Sequence, residues 1–292
     1  MNQRVALIIR AYDRLEDLYL NVDIINDTWK NFSYDIFAVT NGKSAGHNVD
    51  ESLSEKVCKL IVLENNAGHL QGDSQMLQAG MDTINFSNYD FIIALQSDTW
   101  VYGDDIVKKY TEKMRKSNSV YAAARWYDRI FSIATDFAII DSHFLSTNKA
   151  IFKFMDYPEY VIGKHVFSEC MVAKYLMSRN ENFLFISENM NAMVPSYLKK
   201  FPYAPHGRFY VYPKSKMVTH HVEDLKGGMN EKKFHFNALA GVDYFKISNH
   251  SNIKVEYLKM YLVSLIEKIL VRRSWYSKRV DLLSIKSKLE IK

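Results

Sequence analysis

Polar residues of the kinds found in enzyme sites follow several apolar segments of the sequence. The clusters lie at residues 11–14, 40–44, 64–73 and 96–99. The last one contains Asp98, whose carboxylate oxygens could hold a divalent cation. Such a cation would neutralise a diphosphate during a group-transfer reaction. An Asp at a strand end also commonly caps the following turn, so the sequence leaves both roles open.

Two adjacent histidines, His220 and His221, end another apolar segment and are followed by Glu223 and Asp224. Imidazole is both a common metal ligand and a base that titrates near neutral pH. If a strand continues through the pair, one ring points inward and the other outward. A hydrogen-bonded structural pair is equally compatible with this pattern.

Glu169 begins a segment, residues 169–178, that is predicted to be helical. A carboxylate there could face a cleft and take a proton from an attacking hydroxyl group. It could also simply stabilise the positive end of the helix dipole.

The loop at residues 65–73 contains Gly68 and Gly72 but has neither the GxGxxG nor the GxxxxGK[ST] spacing. We therefore exclude a dinucleotide fingerprint and a P-loop. The glycines would instead let the backbone approach a ligand and begin the next helix. The Asn-Gly-Lys-Ser segment at residues 41–44 is typical of an ordinary tight turn.

Strands and helices are predicted to alternate in the first half of the chain. Apolar runs predict strands, and apolar residues at three- and four-residue spacing predict helices. The predicted strands are 5–9, 34–40, 59–63, 90–95 and 120–124, and the predicted helices are 15–27, 73–84 and 105–116. This order indicates an α/β fold with a mixed, mostly parallel sheet flanked by helices. Ligands bind outside the carboxyl ends of such strands, where the four polar clusters fall.

The second half is less regular, with predicted strands at 133–140, 183–186, 209–212 and 217–221. No internal repeat, low-complexity segment or linker divides it. We therefore predict one domain over residues 1–250, with a C-terminal extension over residues 251–292.

The extension holds most of the excess positive charge. The chain of 292 residues has a net charge of +5, and residues 251–292 contain 10 Lys or Arg against 4 Asp or Glu. The preceding residues are thus nearly neutral and give no reason to expect a nucleic-acid partner. From residue 255 onward, apolar residues line one face of a predicted basic amphipathic helix. Such a helix can lie on an anionic membrane surface or pack on the protein or a second subunit.

Cysteine content and hydropathy indicate the cellular compartment in which the protein is expected. Two cysteines make neither a disulfide framework nor metal-knuckle spacing, which favours a reducing, cytoplasmic setting. The first residues do not have the pattern of a secretory signal. No run reaches the roughly 18 apolar residues that a membrane span needs. We expect a cytoplasmic protein. The basic amphipathic helix is also compatible with peripheral attachment to the inner face of the cell membrane.

The order of these motifs resembles the GT-A fold glycosyltransferases, particularly the inverting family 2. The resemblance covers residues 4–105 well and continues more loosely to about residue 221. Its motifs are Arg10-Ala11-Tyr12-Asp13-Arg14, Thr40-Asn41-Gly42-Lys43-Ser44, Asn65-Asn66 with Gly68, Gly72 and Ala79-Gly80, and Gln96-Ser97-Asp98-Thr99. In the family, the last of these is the metal motif, often Asp-x-Asp. Here Asp98 is its single carboxylate.

The resemblance implies a nucleotide-sugar donor, with residues 1–125 as the donor half and 126–250 as the acceptor half. It implies that Ala11, Tyr12 and Asp13 contact the base or ribose. Asn41 stands where the family often uses Asp to read the base. The further donor contacts that it implies are Asn66, Gly68, Gly72, Ser97 and Asp98.

The resemblance also implies a divalent metal, Mn²⁺ or Mg²⁺, and a catalytic base. Asp98 would hold the metal on the donor diphosphate, with His220 or His221 completing its ligands. Glu169 would deprotonate the hydroxyl of a glycan or lipid-linked acceptor, which would invert the anomeric carbon. The expected role is the biosynthesis of a surface polysaccharide.

Two other functions are compatible with such a sheet. A nucleotidyltransferase would be expected to carry a glycine-rich loop after the first strand, but residues 10–14 contain no glycine. A non-catalytic nucleotide- or glycan-binding protein would be compatible with a metal motif that has one carboxylate.

Overall fold

In the computed structural model, strand β1 (Arg4–Ala11) is apolar on both faces and is an interior strand of the main sheet. Ala6 and Ile8 pack into the core on one side, and Val5, Leu7 and Ile9 pack into the core on the other. A strand buried on both faces has such a continuous apolar sequence. The structure describes residues 3–124, 133–153, 168–189, 209–219, 221–247 and 253–270.

Within the described residues, seven strands form the main sheet in the order β3-β2-β1-β4-β7-β6-β8, and three form a small sheet in the order β5-β10-β9. The other strands are β2 (Ser33–Thr40), β3 (Lys59–Val62), β4 (Phe91–Gln96), β5 (Trp100–Val101), β6 (Tyr121–Ala123), β7 (Phe137–Asp141), β8 (Phe183–Phe185), β9 (Tyr210–Tyr212) and β10 (Met217–Thr219). The helices are α1 (Leu15–Thr28), α2 (His69–Thr83), α3 (Asp105–Ser117), α4 (Ser142–Thr147), α5 (Ser168–Ser178), α6 (Gly228–Ala240) and α7 (Ile253–Leu270).

Strands β1, β2, β3 and β4 are mutually parallel, so the turns that follow them lie at one edge of the sheet. Strand β7 is antiparallel to both β4 and β6, and β8 is parallel to β6. The sheet is therefore mixed and mostly parallel. This arrangement confirms the predicted α/β class.

Helices cover both faces of the main sheet. Met76 of α2, Leu145 of α4 and Val172 of α5 belong to the core on one side. Leu18 of α1 and Val107 of α3 belong to the core on the other side. The two layers hold the edge with the polar turns in a fixed position between them.

Several elements differ from the sequence prediction. Helix α2 begins at His69, four residues before the predicted start at residue 73, because Gly68 adopts a φ of 105° that reverses the chain there. The strand predicted over residues 133–140 spans Phe137–Asp141, since its pairing with β4 begins only at Leu95 and Phe137. Helix α6, which carries a buried lysine and histidine, was not predicted.

The predicted C-terminal helix is present as α7, which the structure describes up to Leu270. Met260 is buried in a core cluster with Phe236 and Leu239 of α6, so one face packs on the body of the protein. The apolar side chains left exposed along α7 are Val255, Tyr257, Leu258, Leu262, Leu265 and Ile266. Among the described residues, no helix is long and apolar enough to cross a membrane.

Candidate functional site

A cavity of about 590 Å³ lies at the edge of the sheet where β1 and β4 end. Four separate segments line it: the turn after β1, the loop and first residues of α2, the turn after β4, and His221, two positions after the end of β10. The lining residues are Arg10, Ala11, Tyr12, Asp13, Arg14, Asn66, Gly68, Gly72, Asp73, Met76, Gln96, Ser97, Asp98 and His221.

The cavity brings together most of the residues that the sequence singled out. The predicted residues that line it are Ala11, Tyr12, Asp13, Asn66, Gly68, Gly72, Ser97, Asp98 and His221. Asn41 is not among them, His220 lies outside the described residues, and Glu169 is described only as part of the backbone of α5. The roles assigned to these residues remain predictions.

A side chain at Gly72 would meet the polar side chains that pack on the start of α2. A Cβ atom on Gly72 would lie 2.2 Å from Oδ1 of Asn66 and 3.1 Å from Nδ2 of Asn41. The Asn66 side chain accepts a hydrogen bond from the backbone N–H of Gly68 at 2.8 Å. The loop is thus folded against its own polar side chains, with its backbone on the cavity.

Asn41 is fully buried beneath this loop. Its Nδ2 donates to the carbonyl of Gly72 at 3.0 Å and to Oε1 of Gln75 at 3.2 Å. Asn41 therefore fixes the start of α2. It supports Gly72, which lines the cavity, without lining the cavity itself.

The turn after β4 is held by a buried side chain that the sequence analysis missed. Asn21 of α1 donates through Nδ2 to the carbonyls of Gln96, Ser97 and Thr99 at 3.3, 3.0 and 2.8 Å. The hydroxyls of Thr99 and Thr219 lie 2.6 Å apart and tie the same turn to β10. The position of the Asp98 main chain is thereby set from two neighbouring elements.

A buried ion pair supports this turn from behind. Lys232 of α6 lies 2.5 Å from Oδ1 of Asp17 and donates to the Asp98 carbonyl at 2.7 Å, with its ammonium 4.2 Å from the centre of the Trp100 ring. Burial lowers the pKa of Lys232, although Asp17 and Asp98 oppose this effect. Burial likewise raises the pKa of Asp17 against the opposing effect of Lys232. The pair positions Asp98 without itself lining the cavity.

Arg14 is the immediate partner of Asp98. Its Nε lies 3.5 Å from Oδ2 of Asp98, and its Nη2 donates to Nδ1 of His221 at 2.6 Å and to Oε2 of Glu223 at 2.9 Å. Nδ1 of His221 also lies 3.4 Å from Oε2 of Glu223, so the imidazole contacts both the guanidinium and the carboxylate. Burial would lower the pKa of Arg14, but Asp98 and Glu223 outweigh it and raise that pKa, so the guanidinium stays charged.

Arg10 forms a second buried cation at the cavity. Its side chain is fully buried. Nε donates to Oδ1 of Asp73 at 2.8 Å, and Nη2 donates to the carbonyl of Thr135 at 2.8 Å. Arg10 therefore links β1 to α2 and to the segment that precedes β7.

The donor set does not fit a divalent cation in this arrangement. Of the expected ligands, Asp98 and His221 both contact the guanidinium of Arg14, as does Glu223, and His220 lies outside the described residues. A positive group therefore already stands between the atoms that a metal ion would need. In the part of the chain that the structure describes, no group of three or more His, Cys, Asp or Glu side chains is arranged to hold a metal.

Two of the residues that the sequence analysis missed, Asp17 and Asn21, could have been identified from their spacing. Asp17 and Asn21 are spaced four apart inside the predicted helix 15–27, so they share the face that carries Leu18 and Val22 into the core. Polar residues on a buried helix face must find partners. Lys232 and Arg14 gave no such signal, because their partners lie far away along the chain.

No protein-family model and no curated protein matches the sequence. Solved structures do match it. One is the mannosyltransferase PcManGT from Pyrobaculum calidifontis in complex with GDP-Man and Mn²⁺, with 8% sequence identity and a TM-score of 0.47. The match covers 99% of this chain and 76% of that chain. The residues of the cavity therefore carry the functional argument.

Proposed function

We propose that this protein is a glycosyltransferase that uses a nucleotide-sugar donor. The observation that carries the proposal is the convergence of four separate segments on one cavity at the carboxyl edge of parallel strands. Ligands bind at this edge in open α/β sheets. The cavity volume of about 590 Å³ lies within the usual range for small-molecule sites.

The donor is proposed to lie across these segments. Tyr12 and Asp13 contact its base or ribose, and Tyr12 is supported edge-on by His47 at a ring distance of 5.1 Å. The backbone at Asn66, Gly68 and Gly72 contacts the diphosphate-sugar portion. Ser97 and Asp98 face the diphosphate from the opposite wall. The donor half then corresponds to residues 1–125 and the acceptor half to residues 126–250.

Glu169 is proposed as the catalytic base. It would take the proton from an acceptor hydroxyl, whose oxygen attacks the anomeric carbon of the donor sugar. The bond from that carbon to the diphosphate oxygen breaks, the nucleoside diphosphate leaves, and the anomeric configuration inverts. The acceptor is a glycan or a lipid-linked glycan of a surface polysaccharide.

An anionic membrane surface is proposed as the partner of α7. The exposed side chains of Val255, Leu258 and Leu262 lie on the helix face opposite the buried Met260. Residues 251–292 carry a surplus of positive charge that complements anionic lipids. Such contact would place the enzyme at the inner face of the cell membrane, next to a lipid-linked acceptor.

The test is turnover of a panel of nucleotide sugars with Glu169→Gln and Asp98→Ala, each compared with the surface variant Glu112→Gln on α3. We expect kcat to fall at least about a hundredfold for Glu169→Gln, the usual effect of removing a general base. Glu112→Gln should match the parent. Binding of a nucleoside diphosphate without transfer to any acceptor would contradict the proposal and favour a non-catalytic binding protein. Release of pyrophosphate from a nucleoside triphosphate would favour a nucleotidyltransferase.

A further inference from the structure

Two arginines line the same cavity, and neither has all of its donors paired. Arg10 uses Nε and Nη2 for Asp73 and Thr135, while its buried Nη1 has no hydrogen-bond partner among the described residues. Arg14 uses Nε and Nη2 for Asp98, His221 and Glu223, and its buried Nη1 likewise has none there.

Unpaired buried donors are costly. Leaving one without an acceptor costs free energy on folding, and the cost is larger when the group is charged. Two guanidinium groups at one cavity, each with an N–H to spare, therefore indicate a ligand that is rich in acceptor oxygens. Guanidinium groups match phosphate oxygens especially well, because their planar N–H donors can bind in pairs.

The amino end of α2 adds a third positive element. This 15-residue helix begins at His69, has no acidic residue in its first turn and has no side-chain cap at Gly68. The N–H groups of a first turn, together with the helix dipole, favour an anion. Gly68 and Gly72 both line the cavity, and Arg10 is bonded to Asp73 of the same helix. The helix end and the buried arginine thus lie at one place.

The acidic residues near these arginines determine whether the cavity can bind a divalent cation or an anion. Asp73 balances Arg10, and Asp98 with Glu223 balances Arg14, while Lys232 is balanced by Asp17 behind the turn. Asp13 is a further carboxylate in the cavity lining, so the unused N–H groups of the arginines, and not a net positive charge, would hold an anion. A divalent ion held by both Asp98 and His221 would have to displace the guanidinium from these two residues. An anion needs no such displacement, since it can bind the unused N–H groups.

We propose that Arg10, Arg14 and the amino end of α2 form a diphosphate site that binds its ligand without a divalent metal. Arg14 takes the position that a metal ion would occupy, and it neutralises the negative charge that develops on the leaving diphosphate. This inference rests on the proposed glycosyltransferase function for its ligand, a nucleoside diphosphate, but the site itself requires only a diphosphate group.

The test is calorimetric binding of inorganic pyrophosphate and of a panel of nucleoside diphosphates to the full chain, in EDTA and in excess Mn²⁺. We expect binding in EDTA, with affinities within about threefold in Mn²⁺. Arg14→Gln should weaken binding about 10- to 100-fold, and Arg14→Lys, which keeps the charge but loses the fork, should weaken it less. Arg4→Gln is the matched control, because Arg4 lies at the opposite end of β1 and its side chain is half exposed. Melting temperatures identify any variant that fails to fold.

Each outcome separates this inference from the proposed function. Binding in EDTA that Arg14→Gln weakens about tenfold or more supports the site, even if no sugar is transferred. Binding that needs Mn²⁺, or that Arg14→Gln leaves unchanged, overturns the site, even if transfer is observed. Pyrophosphate binding alone, without a preference for any nucleoside, supports the anion site while contradicting the nucleotide-sugar donor.

Discussion

The ammonium of Lys232 lies 2.7 Å from the carbonyl oxygen of Asp98, although the two residues are 134 positions apart in the chain. A fully buried lysine on α6 thereby holds the main chain of the residue on which the candidate site is centred. Its counter-ion, Asp17, comes from α1, the helix that also supplies Asn21 to the same turn. Three helical side chains thus define one short loop.

We expect Lys232→Met to destabilise the protein by about 3 to 5 kcal/mol, because it leaves the buried Asp17 carboxylate without its counter-ion. The double variant Lys232→Met with Asp17→Leu should recover most of the free energy of unfolding, measured by urea denaturation. It should not recover nucleoside-diphosphate binding, since the Asp98 carbonyl still lacks its donor. Recovery of both properties would show that the ion pair does not position Asp98.

Asn21→Asp replaces the donating amide with a carboxylate that can only accept and that faces three carbonyl oxygens. We expect it to lower the free energy of unfolding by about 1 to 3 kcal/mol for each carbonyl left without a donor. It should also weaken ligand binding, as the turn at Ser97 and Asp98 shifts. Asn26→Asp, at an exposed site on the same helix, is the control. Equal unfolding free energies for the two variants would contradict the role of Asn21.

Gly72→Ala should weaken nucleoside-diphosphate binding roughly tenfold or more, a loss of about 1.4 kcal/mol. The added Cβ would meet Oδ1 of Asn66 at 2.2 Å and would push the loop away from the cavity. Adding Asn66→Gly removes the atom that clashes and should restore much of the affinity. A double variant as weak as the single one would mean that the contact with Asn41, at 3.1 Å, is the limiting one.

The stability of the protein should depend on pH through Glu188, which follows β8. Burial alone would raise the pKa of Glu188, but hydrogen bonds from Lys109 and Tyr110 outweigh it and lower that pKa to about 2. Glu188 therefore contributes stability above its unfolded pKa, near 4.5, and this contribution is lost as the pH falls toward 2. As the pH falls from about 4.5 to about 2, the parent loses this contribution to its free energy of unfolding and Glu188→Gln has none to lose. The decrease in Glu188→Gln should therefore be smaller than in the parent by about 1 to 2 kcal/mol. Glu112→Gln, on the helix that carries Lys109, should follow the parent; a parallel curve for Glu188→Gln would contradict the assignment.

Leu258→Gln with Leu262→Gln should reduce binding of the full chain to vesicles that contain anionic lipid. Both side chains are exposed on α7, and burial of each in a membrane would contribute about 1.5 to 3 kcal/mol. Val62→Gln, an exposed apolar residue on β3, is the control and should bind as the parent does. Unchanged vesicle binding in the double variant, combined with a change in oligomeric mass, would assign the face to a second copy of the chain.

Local patterns were enough to predict the parallel strands and the edge at which the polar turns meet. The apolar runs of β1, β2 and β4 and the polar residues that follow them are contiguous in sequence, and parallel pairing brings their ends together. The antiparallel position of β7 could not be read in this way, since residues 133–140 carry no sign of their partner strand. Long-range pairing depends on packing that periodicity does not encode.

The ion pairs of the site could not be predicted from the sequence for the same reason. Asp98 was identified from its position after β4, but its partner Arg14 was noted only as part of a turn. The contact of Arg14 with Glu223 joins residues 209 positions apart, and only the folded chain brings them together. The expectation of a metal followed from Asp98, the histidines and the family resemblance, whereas the folded chain places the guanidinium of Arg14 against both Asp98 and His221.

The placement of Lys232 also bears on how the chain folds during synthesis. Strands β1, β2 and β4, with the turns that face the cavity, leave the ribosome within the first 101 residues, whereas Lys232 comes more than 130 residues later. Domains generally fold as units as they emerge, from the amino-terminal end onward. Until α6 emerges, a nascent chain carries Asp17 without its counter-ion and an Asp98 turn without its main-chain donor. We therefore expect the turn at Asp98 to reach its final geometry only after α6 has emerged and Lys232 has paired with Asp17.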